Sequence, residues 1–506
     1  MEGYTSDIEY PASYYRELDP NYLNFCAILA GVEPIATTEA FNYCELGCGQ
    51  GLGVLVLAAN YPHGEFYAID YNPSHIAQVR AIAKEAKLDN IYFFEKSFQE
   101  MLDEPSFLPE IDFMVFHGIY TWVNDLNRDN LIELCKRNVR AGGLVYNSYN
   151  AKSGWLAGEP IQKLIWGLAK EYQGNSLKKM EKVVATLDGL KNIKQGYFKE
   201  YANSIKKRLD KMKTANKNYI VHEYLHEDWK AFYFPEVCEA MEKAKLNYLC
   251  LANPAEVFSK DLYPKELTQQ LEMIEDLSNR ELIKDLTFNT NFRKDIYSRG
   301  RRREWGKEEK SAWLLKQEWI LIKRTEISVF EFSLSTGKAK GNELVYRPII
   351  NALQSAILST EQLLELININ ISSITQALIL LYSTGVIGIY KKNESSSKAV
   401  NLNKMIVKNV FNDSGFKHIV LPKANTAISF DLVGLTFLNG FYQGYEKSKD
   451  LVDYVHKALT ARKLYILKDG KQLEAEAMRS QLYQIEIEWR KNTLPVLQET
   501  GALAES

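Results

Sequence analysis

The chain changes hydrophobic rhythm along its length. Between residues 41 and 150, short apolar or period-two runs alternate with stretches of period near 3.6: FNYCEL (41–46), EFYAID (65–70), IYFFEK (91–96), IDFMVFHG (111–118) and GLVYNSYN (143–150). PSHIAQVRAIAKEAKL puts Ile76, Val79, Ala83 and Ala86 on one helical face, and RDNLIELCKRNV repeats that pattern. Strands apolar enough to be covered on both sides, alternating with helices, predict an α/β domain on a parallel sheet.

From 156 to 217 the pattern is helical and rich in lysine (SIKKRLDKMKTANK), which predicts a helical insertion or lid. PEVCEAMEKAKLNYLCLANP (235–254) restores a helix-then-strand unit, and KQEWILIKR (316–324) is expected to supply the last strand. RPIINALQSAI, STEQLLELI and SSITQALILLYSTG predict three helices, followed by two short strands around the polar tip KKNESSSK. That reads as a winged-helix-like module in a mainly α C-terminal region, which ends with a KDGK hairpin turn and a long helix. The expected division is 1–155, 156–217, 218–325 (a region completing the sheet) and 326–506.

Composition narrows the class. At 506 residues the chain exceeds one ordinary core. Its 62 basic and 64 acidic residues leave a net charge of −2, so no overall field draws it to nucleic acid or membrane. Six scattered cysteines without a CxxC pair read as reduced thiols of a cytoplasmic protein. MEGYTSDIEYPASYY has neither a basic nor an apolar leader region, and no stretch approaches ~18 uninterrupted apolar residues, so neither a secretory leader nor a spanning helix is expected.

The candidate chemistry begins at CELGCGQGLG, where Gly47, Gly49, Gly51 and Gly53 follow an apolar run. A dinucleotide fingerprint G-x-G-x-x-G requires a small residue where Leu52 or Val54 stands, and a P-loop requires the lysine and hydroxyl that are missing. What remains is acid-x-G-x-G-x-G, from Glu45 to Gly51, which resembles the first motif of class I S-adenosylmethionine-dependent methyltransferases. The resemblance implies that Gly47 and Gly49 let the cofactor lie against bare backbone and that Glu45 faces its positive end. It also implies that Asp70 accepts from the ribose hydroxyls, that Tyr71 covers the adenine, and that Ser97 and Phe98 flank the adenine edge. Tyr14 and Tyr15 are placed to fold over the cofactor.

DFMVFHGIYTWV (112–123) and GGLVYNSYNAKSGW (142–155), with YCELGCGQG and IDYNP, resemble bacterial methyltransferases carrying a methyltransferase regulatory domain. That group includes the lysine methyltransferases of rickettsial outer-membrane proteins. YIVHEYLHEDWKAFYFPEVCEAMEKAKL and FRKDIYSRG resemble the regulatory domain. The expectation is therefore a Rossmann-like class I methyltransferase sheet with S-adenosylmethionine as cofactor and S-adenosylhomocysteine as product. The acceptor expected by resemblance is a protein lysine. A glycan or small molecule, or a non-catalytic cofactor-binding or winged-helix regulator, stands as the alternative. Nucleic acid is not expected as a partner, nor membrane insertion, and the chain is expected as a monomer or homodimer. His117, Tyr120, Tyr149 and Asn150, at the ends of the fourth and fifth strands, are the candidates for acceptor chemistry, and His117 also for cofactor contact. A structural histidine and an aromatic wall are the competing readings.

Two weaker signals complete the reading. HEYLH (222–226) satisfies H-E-x-x-H, but the β-prone Tyr219, Ile220 and Val221 before it speak against the helix that a zinc site needs, so no metal is expected. RKDIYSRGRRREW (293–305) reads as a solvated basic loop pairing with local acids, ahead of a grip on an acidic substrate or RNA.

Overall fold

The computed structural model describes residues 12–258, 263–324, 329–392, 397–412 and 415–503. The expectation about a leader therefore falls mainly on residues outside this set. Seven strands build the central sheet: β1 (Phe41–Leu46), β2 (Gly64–Asp70), β3 (Ile91–Glu95), β4 (Ile111–Phe116), β5 (Val139–Asn150), β6 (Leu246–Leu251) and β7 (Phe292–Arg299). Their order is β3-β2-β1-β4-β5-β7-β6. The five strands expected from the apolar runs pair in parallel, as predicted. β7 runs antiparallel to both β5 and β6.

The sheet reverses its order beside β1, so the carboxyl ends of β1, β2 and β4 open onto a crevice at a topological switch point. β1 and β4 have no exposed residue, because helices cover both faces. Leu52–Asn60, apolar on all sides, is buried between the sheet and the C-terminal region. Asp125–Asn138 covers the opposite face through Leu131 and Cys135.

Three expectations are corrected here. KQEWILIKR does not complete the main sheet: Glu318–Leu321 pairs with Leu358–Ser359 and Ile387–Ile389 in a separate three-stranded sheet. The last strand of the main sheet is β7, drawn from the segment expected to be a solvated basic loop. Its alternation puts Arg293, Asp295 and Tyr297 on one buried face, where Arg293 is 1% exposed and pairs with Asp285, Asp295 and Glu281. The charge is hidden because three carboxylates from a helix and its own strand neutralise it.

The third concerns the C-terminal region. The three expected helices form, as Glu343–Ser355, Thr360–Leu366 and Ile371–Ser383, but the wing does not. Ile387–Ile389 is followed by the helix Ser397–Lys408 instead of a returning strand; residues 393–396 of the polar tip lie outside the described set. That helix packs on the catalytic domain, with Lys398 paired to Asp89 and Lys408 to Glu85. The KDGK turn is as expected: Asp469 (φ 52°) and Gly470 (φ 75°) close a two-residue hairpin.

The lysine-rich insertion is helical as predicted: Glu159–Glu171, Ser176–Leu190, Ala202–Thr214 and Lys217–Tyr224 enclose a small core of their own around Ile165, Val183, Leu187 and Leu209.

Candidate active site

The loop after β1 is held by main-chain bonds: Gly47 N and Cys48 N donate to Ile69 O at 2.8 and 3.0 Å. Gly47 sits at φ +77°, and a side chain there would run into Ile119. Gly49 differs. Its φ of +54° also favours glycine, yet a Cβ would meet nothing within 4 Å, so the middle of the loop faces open space at the crevice.

Two carboxyls border that space. Glu45, 7% exposed, has an Oε2 with no hydrogen-bond partner. Burial, with the nearby charge of Asp70, pushes its carboxyl up to about 8. Asp70, at the tip of β2, accepts from Gly49 N (2.8 Å) and Asn72 N (2.8 Å), with His75 Nδ1 at 3.3 Å. This carboxylate ties the glycine loop to β2 and keeps lone pairs for a ligand.

The donor set is a test of the cofactor. Neither lysine nor arginine lies in the loop Cys44–Gly53, and two carboxyls flank it. A pyrophosphate would meet those carboxyls as like charges. A cationic, phosphate-free nucleoside fits, since its positive charge would make ionised Glu45 favourable and supply the partner that Oε2 lacks.

The N-terminal segment closes one side of the crevice. The Tyr15 ring lies 4.0 Å from the His117 ring, between centroids. Ser13 O comes within reach of the Gly53 position, beside Glu45. Tyr14 turns toward the C-terminal region, its hydroxyl 3.4 Å from Thr426 Oγ1. His117 Nδ1 lies 2.9 Å from the Tyr146 hydroxyl and 3.2 Å from Ser148 Oγ. Burial lowers the His117 pKa to about 4, against the pull of Glu17 and with the help of Lys294. The imidazole is therefore neutral at pH 7.

The structure thus brings Tyr15, Glu45, Gly47, Gly49, Asp70 and His117 to one crevice. Tyr71 stands beside it, 51% exposed. Others go elsewhere. The Ser97 hydroxyl caps the helix Phe98–Leu102 in a reciprocal bond pair with Glu100, and the Phe98 ring packs on the core beneath. Tyr149 is fully buried and donates to Asp295 Oδ2 at 2.7 Å. Tyr120, 4% exposed, packs on Phe232. Both tyrosines belong to the opposite, Val145 face of the sheet, because strand parity turns Tyr149 away from Ser148 and Asn150.

Asn150 remains at the crevice end of β5, and its Nδ2 donates to Glu223 Oε1 at 3.4 Å. Glu223 was not foreseen as a site residue, although HEYLH drew attention to it for another reason. Contrary to the expectation of β structure, HEYLH begins within the helix Lys217–Tyr224, and His226 falls beyond its end. Among the described residues, no group of three or more His, Cys, Asp or Glu side chains is arranged to hold a metal ion.

Sheet order, glycine loop and paired acids define a class I methyltransferase that uses S-adenosylmethionine. The comparisons with known proteins agree. Residues 37–225 match the methyltransferase domain family and residues 216–299 the family described as a predicted methyltransferase regulatory domain. The chain belongs to the S-adenosylmethionine-dependent methyltransferases that carry this regulatory domain. It is 31% identical over 510 residues to the uncharacterized protein sll1526 of Synechocystis sp., covering 99% of each chain. It is 25% identical over 291 residues to the uncharacterized protein RP789 of Rickettsia prowazekii, covering 57% of this chain and 51% of the relative. In fold it is similar to PKMT2 from Rickettsia typhi, with a TM-score of 0.70 and 19% identity, over 95% of this chain and 98% of that one. The same protein in complex with AdoHcy gives a TM-score of 0.71.

Proposed function

We propose that this methyltransferase acts on lysine side chains of a protein acceptor, in the cytoplasm. The observation that carries the reading is the likeness in fold to PKMT2, which runs through the insertion and the C-terminal region as well as the catalytic domain. The resemblance of the regulatory-domain motifs to the lysine methyltransferases of rickettsial outer-membrane proteins points the same way. All six cysteines are free thiols, which suits a reducing compartment.

Glu45, Gly47, Gly49 and Asp70 would hold the cofactor, whose sulfonium supplies an already activated methyl group. The protein's own task is then alignment and exclusion of water. Tyr15 and His117 form a largely dry wall beside the loop, and a neutral imidazole next to it adds no repulsion toward a cation. An amine must arrive deprotonated to attack, and a poorly hydrated cleft favours that form.

Incubation of the protein with tritiated S-adenosylmethionine and cell lysate tests the proposal. Label is expected in acid-precipitable protein, released on hydrolysis as methylated lysine. Label confined to carbohydrate or to small molecules would overturn the protein acceptor and leave the methyltransferase.

A further inference from the structure

The HEYLH segment has so far found no role in the cofactor site, and its glutamate lies at the tip of β5. We propose that Glu223 is the acceptor-side carboxylate of the active site, receiving the ammonium group of the incoming amine and taking its proton; this rests on the amine acceptor proposed above.

Glu223 is half-buried, carried on the helix Lys217–Tyr224 from the segment shared by the two matched domain families. It reaches β5 through the 3.4 Å bond from Asn150, whose backbone N–H is fixed by Thr121 Oγ1 at 2.8 Å. Tyr219, one turn earlier on the same helix, hydrogen-bonds Glu223. Asn150, Glu223 and Tyr219 thus gather at the end of β5, while Tyr15 and His117 stand together at the end of the neighbouring β4. Class I chemistry takes place over those strand ends.

Among the described residues, Glu223 has no ion-pair partner, and its carboxyl is held by Asn150 and Tyr219. Arg208 and Lys211, from the helix Ala202–Thr214, bear on it only from a distance. The Arg208 guanidinium lies over the Trp155 ring and donates to Gly154 O, and the Lys211 ammonium lies over the Tyr219 ring. Tyr219 and Tyr224 from its own helix, and Asn150 from β5, also face it. Burial accordingly raises its carboxyl to about 7, against the pull of Lys211, Asn150, Arg208 and Tyr219. A carboxyl poised there exchanges a proton with little cost near neutrality. In the step itself, an N–H bond of the ammonium breaks, its electron pair stays on nitrogen, and an O–H bond forms on Glu223. The neutral amine left behind is the nucleophile that methyl transfer requires.

Two measurements test this. The whole protein is treated with dicyclohexylcarbodiimide, which labels protonated carboxyls in dry sites, and Glu223 is followed by peptide mass spectrometry. Labelling at pH 6 is expected to fall several-fold by pH 8.5. Tetramethylammonium, a cation without a nucleophilic nitrogen, is expected to protect Glu223 at least threefold more than its neutral counterpart tert-butanol. No labelling at pH 6, or equal protection by the two, overturns the proposal.

In the second measurement, Glu223→Gln is assayed for tritium transfer into protein lysine. Its rate is expected to drop about 100-fold, with loss of the acid limb near pH 7 and unchanged binding of S-adenosylmethionine as the check on folding. A full rate in Glu223→Gln overturns the role of Glu223 while the lysine acceptor stands. Protection of Glu223 by tetramethylammonium, with label found only outside protein, overturns the lysine acceptor while the cation site stands.

Discussion

Glu45 gives the sharpest handle on the cofactor pocket. In the free protein its carboxyl lies near 8, raised from 4.5 by burial and by Asp70, so that ionising it there costs roughly 5 kcal/mol at 1.4 kcal/mol per pH unit. At pH 7 the group is about 90% protonated. If the positive end of the cofactor holds Glu45 ionised, binding at pH 7 must release about 0.9 proton from this group. Affinity should then rise by about 50-fold between pH 6 and pH 8 and level off above. The control is Glu45→Gln, which keeps the shape and removes the titration. Comparing the two proteins cancels any titration of the cofactor itself. Calorimetry at pH 7, in two buffers of different ionisation heat, counts the protons directly. Equal proton counts and parallel pH profiles for wild type and Glu45→Gln would refute the pairing. In the absence of cofactor the sign reverses. The folded state keeps a proton that the unfolded chain gives up, so this group's contribution to stability is full below about 4.5 and lost as pH rises to about 8. Glu45→Gln should therefore gain in Tm over wild type as pH increases.

Four further outcomes follow from named contacts. Asp70→Ala removes the acceptor of Gly49 N and Asn72 N, and should weaken cofactor binding by about 10- to 100-fold, at 1.5–3 kcal/mol for bonds to a charged group; wild-type affinity in calorimetry would refute the role. Gly49→Ala meets no atom, so only the backbone strain of about 1 kcal/mol should appear in Tm, whereas cofactor binding should fall more than tenfold as the methyl fills the crevice; unchanged binding would show that the loop does not face the cofactor. His117→Ala should lower turnover while leaving the shape of the pH–rate profile above pH 5 as in wild type, since the imidazole is neutral there; an unchanged rate would make His117 structural. Arg293→Met should destabilise by about 3–5 kcal/mol, because Glu281, Asp285 and Asp295 lose their shared cation; an unaltered denaturation midpoint would refute the network.

What the amino-acid sequence determined alone were the features contained in short windows. The five parallel strands announce themselves by local apolar runs, and the glycine loop with Glu45 and Asp70 spans one strand–helix–strand unit, in which spacing and chemistry are both visible. β7 escaped because its burial is not a local property: the acids that pair with Arg293 lie within twelve residues of it, but the strands β5 and β6 that flank it come from far earlier in the chain. Tyr219, Ile220 and Val221, which lead into HEYLH, looked β-prone, and packing of Ile220 and Val221 into the insertion core overrode that propensity. Tyr149 and Asn150 are neighbours in the chain, yet strand parity sends one hydroxyl to Asp295 and the other side chain to Glu223. Which face each side chain meets, and which group meets it there, was decided only when the sheet closed, because desolvation and pairing depend on partners as far apart as Asn150 and Glu223, 73 residues, or Tyr149 and Asp295, 146 residues.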